Sequence, residues 1–305
     1  MERVVDIETE GLFLAVHRGF LTVSAGGEEK GRVALDDIGA LIVHAHGTAW
    51  SNSVMVRLSE RAVPIVVCGS NHAPVACVWP IEGHYAQAAR MRAQLAAGRP
   101  LGKQIWRRIV SAKVRMQGTI FAARGGEAGA FDLLARKVRS GDPDNIEAQA
   151  ARRYWRALFG ADFSRDRSAG GANALLNYGY TVLRAVVSRS VCATGLHPTI
   201  GIFHSNRNNA FALSDDLMEP YRPLVDQMVL ELLDEGHVEV TGDVKRRLAT
   251  LTTLDLQNPD GTVSPLSVQV QRFVHSVATC FETGRIDLAL PGSPLRAEAA
   301  VSEPG

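Results

Sequence analysis

No window of this 305-residue chain holds the ~18 uncharged apolar residues that a membrane-spanning helix needs. Met1 to Glu10 are charged and carry no apolar run of the signal-peptide kind. No membrane role is expected, and the cytoplasm is the expected location. Cysteine is scarce: Cys68, Cys77, Cys192 and Cys280 are all there is, and none forms a CxxC pair. That argues against a structural zinc site and for free, mostly buried thiols in an intracellular protein. Net charge is lacking too, at +1, so a nucleic-acid surface would have to come from local segregation of charge. The nearest thing to a phosphate loop is Gly98-Arg99-Pro100-Leu101-Gly102-Lys103-Gln104. It lacks the required spacing and the Ser/Thr after lysine, so ATP use is not expected. No GxSxG motif supports a nucleophilic serine, and no internal repeat is visible.

What is present is a chain with two textures. Leu12 to Val16, Gly19 to Ser24 and Arg32 to Leu35 read as short strands separated by the turn residues Arg18-Gly19 and Ala25-Gly26-Gly27. Ala40 to Val43 and Val63 to Cys68 are continuous apolar runs suited to strands buried on both faces, and Ala76 to Trp79 reads as the last strand. Between them Ser51 is placed to cap a short helix over Asn52 to Arg61. A β-rich domain over residues 1–80 is expected. From His84 the spacing predicts helices over 84–97, 102–122, 128–139, 145–159, 172–194, 215–235 and 264–283. These would form a second domain over 84–287, with a disordered tail over 288–305, where Pro291-Gly292-Ser293-Pro294 leads into small and acidic residues. The fold class is α+β with segregated halves.

Three places put polar, metal-type ligands into apolar surroundings. Glu147 opens the helix after Asp142-Pro143-Asp144-Asn145 and shares a face with Ala151, Tyr154 and Leu158. A carboxylate on that face needs a partner, which Arg152 or Arg153 would supply in a purely structural role. His204 ends the apolar run Ile200-Gly201-Ile202-Phe203, at the mouth of a polar loop. Ser214 is placed to cap a helix whose first turn holds Asp215, Asp216 and Glu219. Asp215 or Asp216 can share a face with Glu219, and the helix macrodipole alone would favour such acids. One imidazole with two or three carboxylates is a hard, mixed ligand set suited to Mg²⁺ or Mn²⁺.

Between Gly83 and Gly126 there is no Asp or Glu, while Arg90, Arg92, Arg99, Lys103, Arg107, Arg108, Lys113, Arg115 and Arg124 all fall there. Lys103, Arg107 and Arg108 lie close together on one helix surface, where they could neutralise consecutive phosphates. Arg207, beside His204, is a further candidate for phosphate contact, and Asn206 to Asn209 are placed to order that loop. Tyr178 and Tyr180, at helical spacing, are expected in the core. His44-Ala45-His46 alternates like same-face strand residues, but no carboxylate is near it in sequence.

The runs Asn173-Ala174-Leu175-Leu176-Asn177-Tyr178-Gly179-Tyr180, Gly195-Leu196-His197-Pro198, Gly201-Ile202-Phe203-His204 and Phe211-Ala212-Leu213-Ser214-Asp215-Asp216-Leu217-Met218-Glu219-Pro220-Tyr221-Arg222-Pro223 together resemble the CRISPR-associated integrase family. Their order and spacing match over roughly residues 140–230, and the last run looks most like the type II branch. The resemblance implies an N-terminal β-sandwich-like domain followed by a mainly helical catalytic domain. It implies metal ligands at Glu147, His204 and Glu219, the last where many relatives have aspartate, and a further acidic position beside the metal at Asp216. It implies a metal-dependent endonuclease and integrase that joins spacer DNA to a CRISPR repeat through a 3′-hydroxyl. The implied partners are double-stranded DNA (protospacer and repeat), a second copy of the chain, and a small ferredoxin-like protein that bridges two dimers. Two other readings of the residues remain. One is a non-catalytic DNA-binding or scaffolding subunit whose acids cap helices and pair with arginines. The other is a hydrolase of a small phosphate ester, against which the long basic segment argues.

Overall fold

The computed structural model describes residues 3–69, 74–81, 83–166, 168–204, 206, 209–258 and 260–295. Its N-terminal part is two four-stranded sheets. The first has the order β1 (Arg3–Ile7), β5 (Ile38–Val43), β7 (Ile65–Cys68), β8 (Pro74–Val78). The pairs β1–β5 and β5–β7 are parallel, and β7–β8 is antiparallel. The second runs β4 (Glu28–Ala34), β3 (Phe20–Ala25), β2 (Phe13–His17), β6 (Ala49–Trp50). Arg18 and Gly19, with φ of 46° and 84°, make the tight turn between β2 and β3, and Gly26 and Gly27, at 58° and 85°, make the next. Positive φ at both central residues matches the strand twist, and glycine enters that region without a Cβ penalty.

Leu14 and Leu21 from one sheet and Ile7, Ile38, Leu41, Val43 and Ile65 from the other share one core with α1 (Asn52–Ser59). The alternate residues Ala40, Ile42 and Val66 pack instead with Ala185 of the helical part. All six residues of β5 are therefore buried, because both its faces are covered. The continuous apolar runs of the sequence become the strands that join the two halves.

The helical part is α2 (Gln87–Ala96), α3 (Arg99–Ala123), α4 (Gly129–Lys137), α5 (Ile146–Phe159), α6 (Ala172–Ala193), α7 (Ala212–Met218), α8 (Arg222–Asp234), α9 (Gly242–Ala249) and α10 (Leu266–Thr283). Helix α6 packs against α7, α8, α9 and α10, while α3 packs against α4, α5 and α8. Trp106, Tyr154, Tyr221, Phe131 and Phe273 are fully buried in this core. Each apolar side chain sealed in this way contributes about 1.5–3 kcal/mol relative to exposure.

Three expectations need correction. The helix predicted over 215–235 is two helices, α7 and α8, separated by a 3-10 turn over Glu219–Tyr221. Pro220 has no N–H to donate, and its ring crowds the carbonyl four residues back, so α7 stops there. Ser214 does not cap: α7 begins at Ala212, and Ser214 lies inside it, accepting a hydrogen bond from Ser188 Oγ at 2.9 Å. Residues 288–295 are not a loose tail. Ser293–Pro294 forms β11 against β9 (Asp255–Gln257), which also pairs β10 (Val263–Pro265), and Gly292 N donates to Gln269 Oε1. Leu288 and Leu290 supply the apolar contacts that hold this segment on the core. Residues 296–305 lie outside the described residues. Among the described residues no helix is long and apolar enough to cross a membrane.

Candidate metal centre

Two backbone devices bring the glutamates together. Asp142, buried and held at φ 46°, accepts from Ile146 N (2.9 Å) and Glu147 N (3.0 Å) and so fixes the first turn of α5. The N–H groups at a helix start have no partner within the helix, and this carboxylate supplies one. Glu219 stands at the break between α7 and α8, and that short turn packs on α3. Lys113, from the middle of α3, lies between them: its Nζ is 2.6 Å from Glu147 Oε1 and 2.5 Å from Glu219 Oε2. The other oxygen of Glu219 faces Arg222 Nε at 2.8 Å. Glu147 thus pairs with a lysine from another helix, and not with Arg152 or Arg153.

His204 is fixed by a different set of partners. Its Nδ1 is 2.5 Å from Asp216 Oδ1, and Asp216 Oδ2 accepts from Ile202 N (2.7 Å) and Phe203 N (2.8 Å). Asp216 is fully buried, so both its oxygens are spent on the His204 segment. The turn needs glycine at 201, where a Cβ would meet His204 O at 2.4 Å and Asp216 Oδ2 at 3.1 Å. Trp106, two turns before Lys113 on α3, stacks on Phe203 at 4.4 Å and meets the His204 ring edge-on at 5.4 Å. Asp215 faces elsewhere, pairing with Arg184 Nε (2.7 Å) and accepting from Asn209 Nδ2 (2.8 Å). Asn209 also accepts from Phe211 N, so it orders the end of that loop.

The charges of these groups act on one another. The Asp216 hydrogen bond raises His204 above the ordinary imidazole range. Burial opposes this, and the charges of Asp216, Glu219 and Glu147 add to it. Burial alone would push Glu219 up, but the Arg222 and Lys113 charges outweigh it and hold the carboxyl below its usual range. Lys113 is held above its usual range: burial works against its charge, and Glu219 and Glu147 overcome it.

The donor set, two carboxylates and an imidazole, fits a hard divalent cation. Glu219 Oε2 is buried, and what faces it is the Lys113 ammonium at 2.5 Å. A buried carboxylate oxygen that already faces a positive charge is compatible with a metal cation in that place. The trio is nevertheless not closed as tightly as a second one. Among the described residues, the group whose ligand atoms all lie within 4.8 Å of one another is Asp6, Glu8 and His44.

That second cluster was hidden from sequence reasoning, because its acids arrive through the parallel β1–β5 pairing. Asp6 sits opposite Ile42, two residues before His44. Tyr178 OH donates to Asp6 Oδ2 at 3.3 Å and Lys245 pairs with Glu8, so the cluster also ties the sheet to α6 and α9. Tyr180, by contrast, is buried and donates to Asp226.

The basic segment divides by role. Arg90 is buried, bonding Glu282 and Thr194 O, and Arg124 pairs with Asp234. Lys113 lies between Glu147 and Glu219. Arg99, Lys103, Arg107, Arg108 and Arg115 are exposed on α3. Arg107 Nε donates to Val138 O, and Gly141 N donates to Lys103 O, so these two border the loop that leads into Glu147. Arg207 lies outside the described residues.

Residues 5–253 match the family described as CRISPR associated protein Cas1. The chain belongs to that family. It is 34% identical over 283 residues to the CRISPR-associated endonuclease Cas1 of Neisseria meningitidis serogroup C (strain 8013), covering 90% of this chain and 89% of that one. Its fold is similar to a casposase bound to its integration product, with a TM-score of 0.76 at 19% identity over 94% of this chain and 92% of that one. It is also similar to a Cas6-RT-Cas1–Cas2 complex chain, with a TM-score of 0.74 at 16% identity over 93% of this chain and 35% of that one.

Proposed function

We propose that this Cas1-family protein is a divalent-metal-dependent DNA integrase and endonuclease that inserts spacer DNA into a CRISPR array. The observation that carries the reading is the meeting of Glu147 and Glu219, from different helices, at one ammonium, with both charges acting on His204. Glu147, His204 and Glu219 would hold Mg²⁺ or Mn²⁺. Bound there, the ion supplies Lewis-acid polarisation of a phosphodiester and lowers the pKa of an attacking hydroxyl.

The chain's own residues do the rest. Asp216 accepts the Nδ1 proton of His204, which keeps the Nε2 lone pair directed outward. Arg222, a half-buried cation on Glu219, stands ready to offset negative charge developing on a phosphoryl group. Lys103, Arg107 and Arg108 bind successive phosphates on the approach to the Glu147 loop. Strand joining is transesterification: a 3′-oxygen forms a new P–O bond as the repeat's own P–O bond breaks, and the hydroxyl proton leaves to solvent. Water in place of the 3′-hydroxyl gives cleavage. The partners proposed are protospacer and repeat duplexes, a second copy of the chain, and a small ferredoxin-like protein.

The Lys113 and Arg222 ion pairs also favour a second reading, in which the acids are structural in a scaffolding subunit. Calorimetric titration with Mn²⁺ separates the two. The wild type is expected to bind and Glu147→Ala to lose binding. His204→Ala and Glu219→Ala are expected to abolish strand joining while retaining duplex affinity. Normal joining by either variant refutes the catalytic assignment.

A further inference from the structure

The contact that closes the candidate metal centre is itself a cation. Lys113 projects from α3 with its side chain 12% exposed, and its Nζ touches one oxygen of each glutamate ligand. Glu219 is buried and Glu147 half-buried; facing one another they repel, and each loses hydration, so the pair requires a positive charge between them to stay folded inward. Arg222 cannot meet that need alone, because its contact is with Glu219. Lys113 bridges both. A lysine also differs from an arginine here: its ammonium is a compact point charge on a flexible four-carbon stem, able to leave a position without repacking a planar fork. The oxygens it touches are the ones a divalent ion would take.

We propose that Lys113 is a stand-in cation: its ammonium holds Glu147 and Glu219 together in the protein without metal, and a divalent ion binds by displacing it. The inference rests on the metal-binding reading above. It has a consequence that a passive structural lysine would not have. A competing internal charge weakens metal binding, so removing it strengthens binding even as it loosens the protein without metal.

The test is calorimetric titration with Mn²⁺, on chelator-treated full-length protein, of the wild type, Lys113→Met and the control Lys137→Met on α4. Lys113→Met is expected to bind at least about tenfold more tightly than wild type. Its melting temperature should be lower in chelator and recover in Mn²⁺. Lys137→Met should match the wild type in both. Equal or weaker Mn²⁺ binding by folded Lys113→Met overturns the proposal. Should that variant not fold, crystals of the wild type grown with chelator and with Mn²⁺ decide it. The Nζ contacts to Glu147 and Glu219 must be broken when the ion is bound, and an unchanged contact beside bound Mn²⁺ overturns the idea. If neither protein nor crystal takes up Mn²⁺, the metal-binding reading itself fails and takes this inference with it. Binding unaltered by loss of Lys113 defeats the inference alone.

Discussion

Replacing Asp216 by asparagine keeps the shape of the side chain and changes what its two ends can do. The carboxylate accepts from four donors, Ile202 N, Phe203 N, His204 N and His204 Nδ1, in a fully buried position. Asparagine offers one acceptor end and one donor end. If its NH₂ faces the backbone N–H groups, buried donors are left unpaired, at about 1–3 kcal/mol each. The amide oxygen is therefore expected to stay on the backbone, and the NH₂ to face His204 Nδ1. That nitrogen must then accept, which moves the imidazole proton to Nε2 and removes the lone pair a metal needs. Restoring it breaks a buried hydrogen bond of about 1.5 kcal/mol, on top of the lost carboxylate charge. An effect of about 10–100-fold on metal affinity follows, the usual range for groups that orient a ligand from behind. The assay is Mn²⁺ calorimetry on wild type and Asp216→Asn, with circular dichroism to confirm the fold. Wild-type affinity in a folded Asp216→Asn protein would show that His204 is not oriented in this way, or that it is not a ligand.

Two further predictions concern groups away from His204. Neutralising Arg107 and Arg108 together should shallow the dependence of log K on log salt for duplex binding by roughly 1.8, at about 0.9 for each phosphate left without its cation; an unchanged slope removes α3 from the DNA path. Stability should fall as pH rises from about 4 to 7. Asp6 is raised to about 7 by burial first and the Glu8 charge second, and Asp226 is raised to about 7 by burial. In that window each folded carboxyl keeps a proton that its unfolded counterpart has lost, so stability present at low pH disappears as pH passes the folded value, at up to about 1.4 kcal/mol per pH unit per group. Asp6→Asn should flatten this decline in urea midpoints measured from pH 5 to 8, and an unaltered decline refutes the assignment.

Hydrophobic period carried most of the fold. The apolar run Ala40 to Val43 could be read as doubly buried from its letters, and so it is, between the second sheet and α6. Elements at the margins were not legible in the same way. β1, Arg3–Ile7, mixes charge with valine and pairs only with β5, and the first half of β4 is Glu28-Glu29-Lys30, an exposed edge. Edge strands carry charge to discourage further pairing, which erases the apolar alternation that would announce them. α9, eight residues long and rich in Lys and Arg, has only Val244 and Leu248 buried, too few to mark a period. β9, β10 and β11 are two or three residues each and owe their pairing to contacts between distant segments.

The candidate site shows a different limit. Glu147, His204 and Glu219 could be singled out as polar letters in apolar surroundings, but the groups that aim them look ordinary in the chain. Lys113 reads as one more base in a run of nine, and only the packing of α3 on α5 and on the Glu219 turn separates it from its exposed neighbours. Asp215 and Asp216 are equivalent by spacing, yet a rotation of about 100° between successive helix positions sends one to Arg184 and the other to His204. Asp142 bonds N–H groups four and five residues ahead, Gly201 leaves room for the His204 carbonyl, and Pro220 stops α7. Each is a local backbone device that a single substitution would disable, and none is among the proposed ligands. The ligands can therefore be lost without touching a ligand. Gly201→Ala, which forces a Cβ against His204 O, should impair Mn²⁺ binding in calorimetry while leaving Glu147, His204 and Glu219 in place chemically.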